Sequence, residues 1–418
     1  MSKNIPRTTK LKKVNREHFK YYAGFSEYFV EDIIDLLNLE KSSLIMDPWN
    51  GSGTTTYIAS KKGLASIGVD INPIMSIVAK ARMFSCKRDE FEVEDILTLS
   101  RKYRKKVNED DSLNNWFKND TVRIIRNIER AIFKGQHLRD VLFLKMEYSN
   151  LQAFLCLALF NSVKFLAKNY KSSNPTWTKM PLYSERENYS RKEIECVFIK
   201  ECEYLITNAI KDIKFNYMPQ ILIGDSQDLP IDSLKVDTII TSPPYCTRID
   251  YAMMTILELA ILNMTELELN NLRRSLIGAP VIQKAQPILK KEWGKTCLDT
   301  LEKIRDHYSR ASSTYYYKTY VQYFSSMYFS FMELDRVLKL DGLCVLVIQD
   351  SFYKDIFVDL RTIMLEMAEN LGWYLIDEFE FLGSNNIVGI NTKSKKYRTN
   401  SNTKESVLIL KKAGVYLD

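Results

Sequence analysis

Histidine is scarce: His18, His137 and His307 are the only three in 418 residues, and they lie far apart. A zinc site or a Ser-His-Asp hydrolase therefore has little support. The seven cysteines, Cys86, Cys156, Cys196, Cys202, Cys246, Cys297 and Cys344, contain no Cys-x-x-Cys pair. An odd, scattered set without metal spacing reads as reduced thiols packed as small apolar residues, and no metal is expected. No apolar run is long enough to span a bilayer. The basic start, MSKNIPRTTKLKK, is not followed by the apolar segment of a signal peptide. The expectation is a cytoplasmic protein with no membrane partner. Internal repeats and recognisable nuclease motifs are also missing.

What is present is ordinary for a globular chain: 45% hydrophobic and 27% charged residues. The length suits one large α/β domain with insertions, or two domains. The net charge of +7 permits nucleic-acid binding and fits an ordinary solvated surface equally well.

Residues 1–16 read as a flexible basic arm. Residues 27–39 (EYFVEDIIDLLNL) carry apolar residues at helical spacing. LIMD (44–47) predicts a buried strand, followed by a Gly/Ser/Thr turn and a helix. ASIGVD (65–70) predicts a second strand, and NPIMSIVAKARMF (72–84) a second such helix. Strand–helix–strand–helix is the opening of a doubly wound parallel sheet. Residues 87–215 are helical in pattern and read as an insertion. Strands resume at QILIGD (220–225) and VDTIITS (236–242). A second polar, helical region is expected over about 246–320. A helix then runs over 326–342 to Gly342, feeding a strand at 343–350. A strand near 373–381, a polar loop at 383–406 and a last strand at 407–412 complete the chain. The fold class expected is α/β: a Rossmann-like doubly wound sheet with a helical insertion and a small recognition region.

Four features carry chemistry. In Asp47-Pro48-Trp49-Asn50-Gly51-Ser52-Gly53-Thr54-Thr55, between strand and helix, the glycines let the backbone turn tightly and approach a ligand. Free N–H groups at the helix start favour an anionic group. No lysine occupies the P-loop position, which argues against a nucleotide triphosphatase. Asp70, in Gly68-Val69-Asp70-Ile71-Asn72-Pro73, ends the second strand about 20 residues beyond the glycine turn. That position suits the hydroxyls of a ribose, and suits a plain helix cap as well. Gly224-Asp225-Ser226 places a carboxylate at the end of the third strand, fit to accept from an adenine amino group or to make a simple turn. The decisive feature is Thr241-Ser242-Pro243-Pro244-Tyr245, after an apolar strand. Two prolines stiffen the backbone and donate no N–H, so local carbonyls serve as acceptors. Ser242 adds a hydroxyl acceptor and Tyr245 an aromatic face, a set suited to an –NH₂ group on a flipped base.

Thr241–Tyr245 resembles the Ser/Asp/Asn-Pro-Pro-Tyr motif of the DNA amino-methyltransferases. DPWNGSGTT resembles their cofactor loop, GVDINP and GDS their ribose and adenine positions, and VLKLDGLCVLVIQD a later strand in which Leu-Asp-Gly replaces the usual Pro-Gly-Gly. HFKYYAGFSEYF (18–29) resembles the element that closes over the methionine part of the cofactor, with Phe25 at the contact. Together these pieces cover about half the chain. The resemblance implies S-adenosyl-L-methionine as cofactor, bound by Phe25, Asp47, Pro48, Gly51, Ser52, Gly53, Thr54, Thr55, Asp70, Ile71, Asn72, Gly224, Asp225 and Ser226. It implies catalysis by Ser242, Pro243, Pro244 and Tyr245 without a covalent nucleophile, so Cys246 has no catalytic role. It also implies double-stranded DNA as substrate and a separate restriction endonuclease or other defence protein as partner. The cofactor loop precedes the tetrapeptide, the reverse of many cytosine N4 enzymes with this loop. Serine at the first tetrapeptide position favours cytosine N4 over adenine N6. An RNA guanine N2 enzyme and a non-catalytic binding module are the alternatives.

The methyltransferase domain is expected over 17–86 and 216–418, with 87–215 inserted and 246–320 the candidate target-recognition region. Its DNA-binding candidates are Arg248, Arg273, Arg274, Lys290, Lys291 and Arg305. The segment Ser173–Lys179 and the basic loop 393–398 are further candidates for contact with DNA.

Overall fold

The computed structural model describes residues 6, 19, 24–85, 93–104, 106–172, 177–208, 215–246, 249–283, 285–382 and 404–414. Its centre is a seven-stranded sheet of β1 (Leu44–Asp47), β2 (Ala65–Asp70), β3 (Gln220–Ile223), β4 (Val236–Thr241), β5 (Leu338–Gln349), β8 (Trp373–Leu382) and β9 (Lys404–Lys412). A small antiparallel pair, β6 (Ser351–Tyr353) and β7 (Ile356–Val358), stands apart. The order is β3-β2-β1-β4-β5-β9-β8. Strands β1 to β5 pair in parallel, and β9 runs antiparallel to both neighbours. The order reverses between β1 and β4, and in such sheets ligands bind in the crevice outside the carboxyl ends at that reversal.

The central strands β1, β2, β4, β5 and β9 are largely apolar on both faces because both faces are covered there. On one face Ile45, Ile240, Val345, Val347, Val407 and Ile409 meet α1 (Glu27–Leu37) and α2 (Thr54–Lys61). Helix α1 begins where the Ser26 hydroxyl accepts from the Phe29 N–H at 3.1 Å, and it buries Phe29, Val30, Ile33 and Ile34. The alternate residues, Met46, Ile239, Cys344, Leu346, Leu408 and Leu410, face the other layer. That layer holds α12 (Lys295–Asp306), α13 (Tyr317–Val337) and α14 (Leu360–Glu369).

Helix α3 (Pro73–Ala81) joins the sheet to a second apolar core. The core contains α4 (Val93–Ser100), α5 (Asn119–Ile132), α6 (Leu138–Phe143), α7 (Asn150–Leu166) and α8 (Arg191–Asn208). It also takes in α9 (Tyr251–Met254), α10 (Ile256–Ile261) and α11 (Glu266–Ser275). Helix α7 is apolar nearly all round and correspondingly buried.

Two sequence expectations need correction. The helix expected over 326–342 stops at Val337. Leu338 pairs with Val236, and the register then jumps to Leu343 opposite Thr238, so residues 339–342 bulge out of β5. Asp341 takes φ 61°, and a Cβ on Gly342 would lie 2.8 Å from the Leu338 side chain. Helical spacing of leucines continued across this segment, but tertiary pairing with β4 overrode it. The stretch 246–320 is polar only in part. Tyr251, Ala252, Met253 and Ile256–Leu262 are buried, and the residues after 316 already belong to α13.

Candidate active site at the carboxyl ends of the strands

The strand ends around the sheet reversal line a cleft of about 50 Å³. It is lined by Pro48 and Trp49 after β1, Asp70, Ile71 and Asn72 after β2, and Asp225 and Ser226 after β3. Ser242, Pro243 and Pro244 after β4, and Tyr251, Ser275, Leu276 and Ile277, complete the wall.

The glycine turn is held by a dense set of bonds. The Asn50 N–H donates to the Val69 carbonyl at 3.0 Å, and the Gly53 N–H to the Asn50 carbonyl at 2.7 Å. Gly53 has φ 80°, and a Cβ there would lie 2.7 Å from the Ala79 Cβ. Gly51 also has positive φ. Asp47 is buried beneath the turn. It accepts from Thr241 Oγ1 at 2.6 Å, Thr55 Oγ1 at 2.7 Å and the Trp49 N–H at 3.1 Å. Burial pushes its carboxyl up to about 6 despite those three donors. Asp47 and Thr55 thus tie the ends of β1 and β4 to the start of α2. Arg82 donates to the Ser52 carbonyl at 3.2 Å and Thr54 Oγ1 at 3.1 Å, and pairs with Glu27. These side chains shape the turn, and the cleft is lined by Pro48 and Trp49 of this segment.

Asp70 accepts the Gly51 N–H on one carboxylate oxygen and the Asn72 N–H on the other, each at 2.8 Å. Each oxygen keeps acceptor capacity for a further donor. Burial pushes its carboxyl to about 6, against the two N–H groups, with nearby Asp47 adding to the rise. Asn72 caps α3 and donates to Thr255 Oγ1 at 2.9 Å. The Gly224 N–H donates to the Asp70 carbonyl at 3.1 Å, and Ser226 bonds Ser330 at 2.9 Å. Asp225 accepts from the Gln227 N–H at 2.9 Å through one oxygen.

The Ser242 hydroxyl donates to the Val347 carbonyl of β5 at 3.0 Å. Its single proton is thereby directed into the sheet, and its lone pairs remain for a donor in the cleft. Tyr323 of α13 donates to the Pro244 carbonyl at 3.0 Å. The Tyr245 N–H faces the Tyr251 hydroxyl at 3.5 Å. The Tyr245 carbonyl lies 2.6 Å from where a Cβ on Gly278 would stand, which demands glycine there, at φ 78°. Burial, with Glu405 nearby, pushes the Tyr245 phenol well above its ordinary value.

The remaining predicted residues are dispersed. Phe25 is buried against Phe29, ring centroids 5.6 Å apart, in the core under β1, β4 and β5, and does not line the cleft. Arg273 pairs with Asp250 at 2.8 Å. Arg305 is committed to Glu302 at 2.9 Å and Asp306 at 2.7 Å. Lys290 lies over the rings of Phe329 (4.9 Å) and Tyr328 (5.3 Å). Arg274 and Lys291 are exposed. Arg248, residues 173–176 and the loop 393–398 lie outside the described residues. Sequence reasoning missed Tyr251, Ser275–Ile277 and Gly278, which reach the site from separate helices and loops. It quoted Trp49 without giving it a role, although its buried Nε1–H has no partner among the described residues and the residue stands on the cleft wall.

Comparison with known proteins agrees with this architecture. Residues 2–80 match a family model described as DNA methylase, N6_N4_Mtase. The chain is 29% identical to the Type II methyltransferase M.BsoBI of Geobacillus stearothermophilus, over 64% of this chain and 56% of that protein. It is 24% identical to the Type II methyltransferase M.AvaI of a Nostoc strain, over 85% of this chain and 78% of that protein. It is 20% identical to the Type II methyltransferase M.MvaI of Kocuria varians, over 65% of this chain and 63% of that protein. The chain thus spans little more than half the length of the first of these relatives. The chain resembles the DNA amino-methyltransferases.

Such methylases use S-adenosyl-L-methionine, and the groups lining the cleft suit the chemistry of its parts. Asp70 presents buried carboxylate oxygens with acceptor capacity for two hydroxyls, and Asp225 a carboxylate for an amino group. Trp49 supplies an aromatic wall and an orphaned donor. Among the described residues no cluster of metal-ligating side chains occurs, and no helix is long and apolar enough to cross a membrane.

Proposed function

We propose that this protein is a DNA methyltransferase that transfers a methyl group from S-adenosyl-L-methionine to an exocyclic amino nitrogen, with cytosine N4 favoured over adenine N6. The observation that carries this reading is the Ser242 hydroxyl, which donates to Val347 and so meets the cleft as an acceptor. An aromatic amine is a poor nucleophile because its lone pair is conjugated with the ring. Ser242 Oγ and the Pro243 carbonyl, two acceptors without a competing N–H, hold the amino hydrogens and favour a pyramidal nitrogen with its lone pair free. The cofactor supplies an electrophilic methyl group. The protein's contribution is positioning and electrostatics. Asp70 holds the ribose hydroxyls, Asp225 the adenine amino group and Trp49 the cofactor's flank. The Tyr245 ring stacks on the flipped base, and the Tyr323 hydroxyl steadies the turn through the Pro244 carbonyl.

Serine at the first position of Ser242–Tyr245 supports the choice of cytosine. The DNA is double-stranded and is read from within 246–320, with Arg274 and Lys291 among the exposed cations there. Similarity to Type II methyltransferases supports a separate restriction endonuclease as the functional partner.

The test is nucleoside mass spectrometry of DNA from cells expressing the protein, beside a Pro243→Ala, Tyr245→Ala variant. New 4-methylcytosine dependent on the intact protein is expected. New 6-methyladenine overturns the base assignment alone. Methylation confined to RNA, or none at all, overturns the function.

A further inference from the structure

The described residues contain a second cavity, of about 210 Å³, inside the helical unit and separate from the cleft. It lies between α5, α6, residues 106–108 and Asn263. On its wall Arg130 is 6% exposed. Among the described residues the hydrogen-bond partner of this guanidinium is His137 Nε2, at 3.0 Å, and its Nε–H is buried without one. A guanidinium only donates, so His137 Nε2 accepts and Nδ1 carries the proton, facing Glu129 Oε1 at 3.5 Å.

Two nearby carboxylates are committed elsewhere. Asp111 grips Arg126 through two bonds, at 2.7 and 2.9 Å. Glu129 accepts from Arg126 at 2.8 Å and from the Leu138 N–H at 2.8 Å. Arg139 is paired with Glu268. Exposed Lys106 and the amides of Asn108 and Asn263 add donors to the wall, and Asp140 is the opposing carboxylate at its edge. A buried cation without an anion is unfavourable, and here it adjoins a space large enough for one.

We propose that this cavity binds a phosphate group, held by Arg130 and Lys106 in the space beside His137. A tetrahedral oxyanion matches donors that converge from three separate chain segments, and the guanidinium fork matches its oxygens. The phosphate belongs either to the backbone of bound DNA or to a free phosphorylated small molecule. The argument uses the cavity alone and stands apart from the assignment of the cleft. Arg126 donates to the carbonyls of Ala260 and Ile261 at the end of α10, and Tyr251 on the cleft lies one short helix earlier.

Calorimetric titration of the full chain with inorganic phosphate, at ionic strength matched by chloride, tests the proposal. Saturable binding is expected. It should be lost in Arg130→Met and weakened about tenfold in Lys106→Ala, whose exposed side chain leaves the fold unaffected. Circular dichroism checks that Arg130→Met is folded. A short duplex that displaces phosphate competitively identifies the DNA backbone as the source, and additive binding identifies a free phosphorylated molecule. No saturable binding, or an unchanged affinity in Lys106→Ala and folded Arg130→Met, overturns the proposal.

Discussion

Asp70 makes a sharp pH prediction. Its carboxyl is raised from 3.8 to about 6, chiefly by burial. A shift of that size corresponds to about 3 kcal/mol. Because the folded value lies above the unfolded one, the stabilising contribution is fully present below pH 3.8. It is lost as pH rises through about 6. Asp47 is raised to the same value by burial and adds a second loss in the same window. Asp70→Asn removes one of the two titrations, so the variant should lose about 2 kcal/mol less than the parent between pH 4 and pH 8. Urea unfolding at closely spaced pH values measures both slopes, and their difference isolates Asp70 from all other groups. The absolute stability of the variant is a separate matter. The asparagine amide sets a donor against either the Gly51 or the Asn72 N–H, both now 2.8 Å from a carboxylate oxygen, and an orphaned buried donor costs about 1–3 kcal/mol. The ligand offers a second readout. Ribose hydroxyls that donate to Asp70 favour its charged form, so binding of S-adenosylhomocysteine should release protons near pH 6 and weaken as pH falls below it. Parallel pH–stability curves for parent and Asp70→Asn would refute the reasoning, and so would cofactor affinity flat across pH 5–8.

Other substitutions address the remaining joints of the site. Ser242→Ala should lower the methylation rate about 10²-fold while S-adenosylhomocysteine affinity, read by calorimetry, stays unchanged. Tyr323→Phe leaves the Pro244 carbonyl without the donor now at 3.0 Å. It should cost about 1–3 kcal/mol in urea unfolding and reduce DNA methylation more than cofactor binding. Gly68→Ala would set a Cβ 2.4 Å from the Asn50 side chain, which is itself held by Thr56 Oγ1 at 3.1 Å. A loss of at least about 1–3 kcal/mol is expected, and wild-type stability would show that Asn50 can move.

Much of the fold was legible in local pattern. LIMD and ASIGVD are apolar on both faces, the mark of strands covered on both sides. A glycine turn and an Asn-Pro helix start follow them, so their order and connection could be read directly. DPWNGSGTT and Ser242–Tyr245 were recognisable because rigid prolines and positive-φ glycines are local requirements that few residues meet. The chemical class of the cleft followed from those segments. Local pattern could not say where β5 begins, because Leu334 and Leu338 keep helical spacing until pairing with β4 claims the chain. Nor could it say that Phe25 and Asp47 sit in the core and not on the cleft, since burial is a property of the assembled layers. The direction of the Ser242 proton depends on a carbonyl 105 residues away. Arg273 and Arg305 look in sequence like cations for DNA, yet the folded chain pairs both with carboxylates. The sequence by itself determined the first strands, the turn chemistry and the rigid Ser242–Tyr245 segment, because these rest on short-range backbone and side-chain rules. Which side chains face the cleft, which neutralise one another and which buried cation lacks a carboxylate partner among the described residues were decided only by tertiary contacts between segments far apart in the chain.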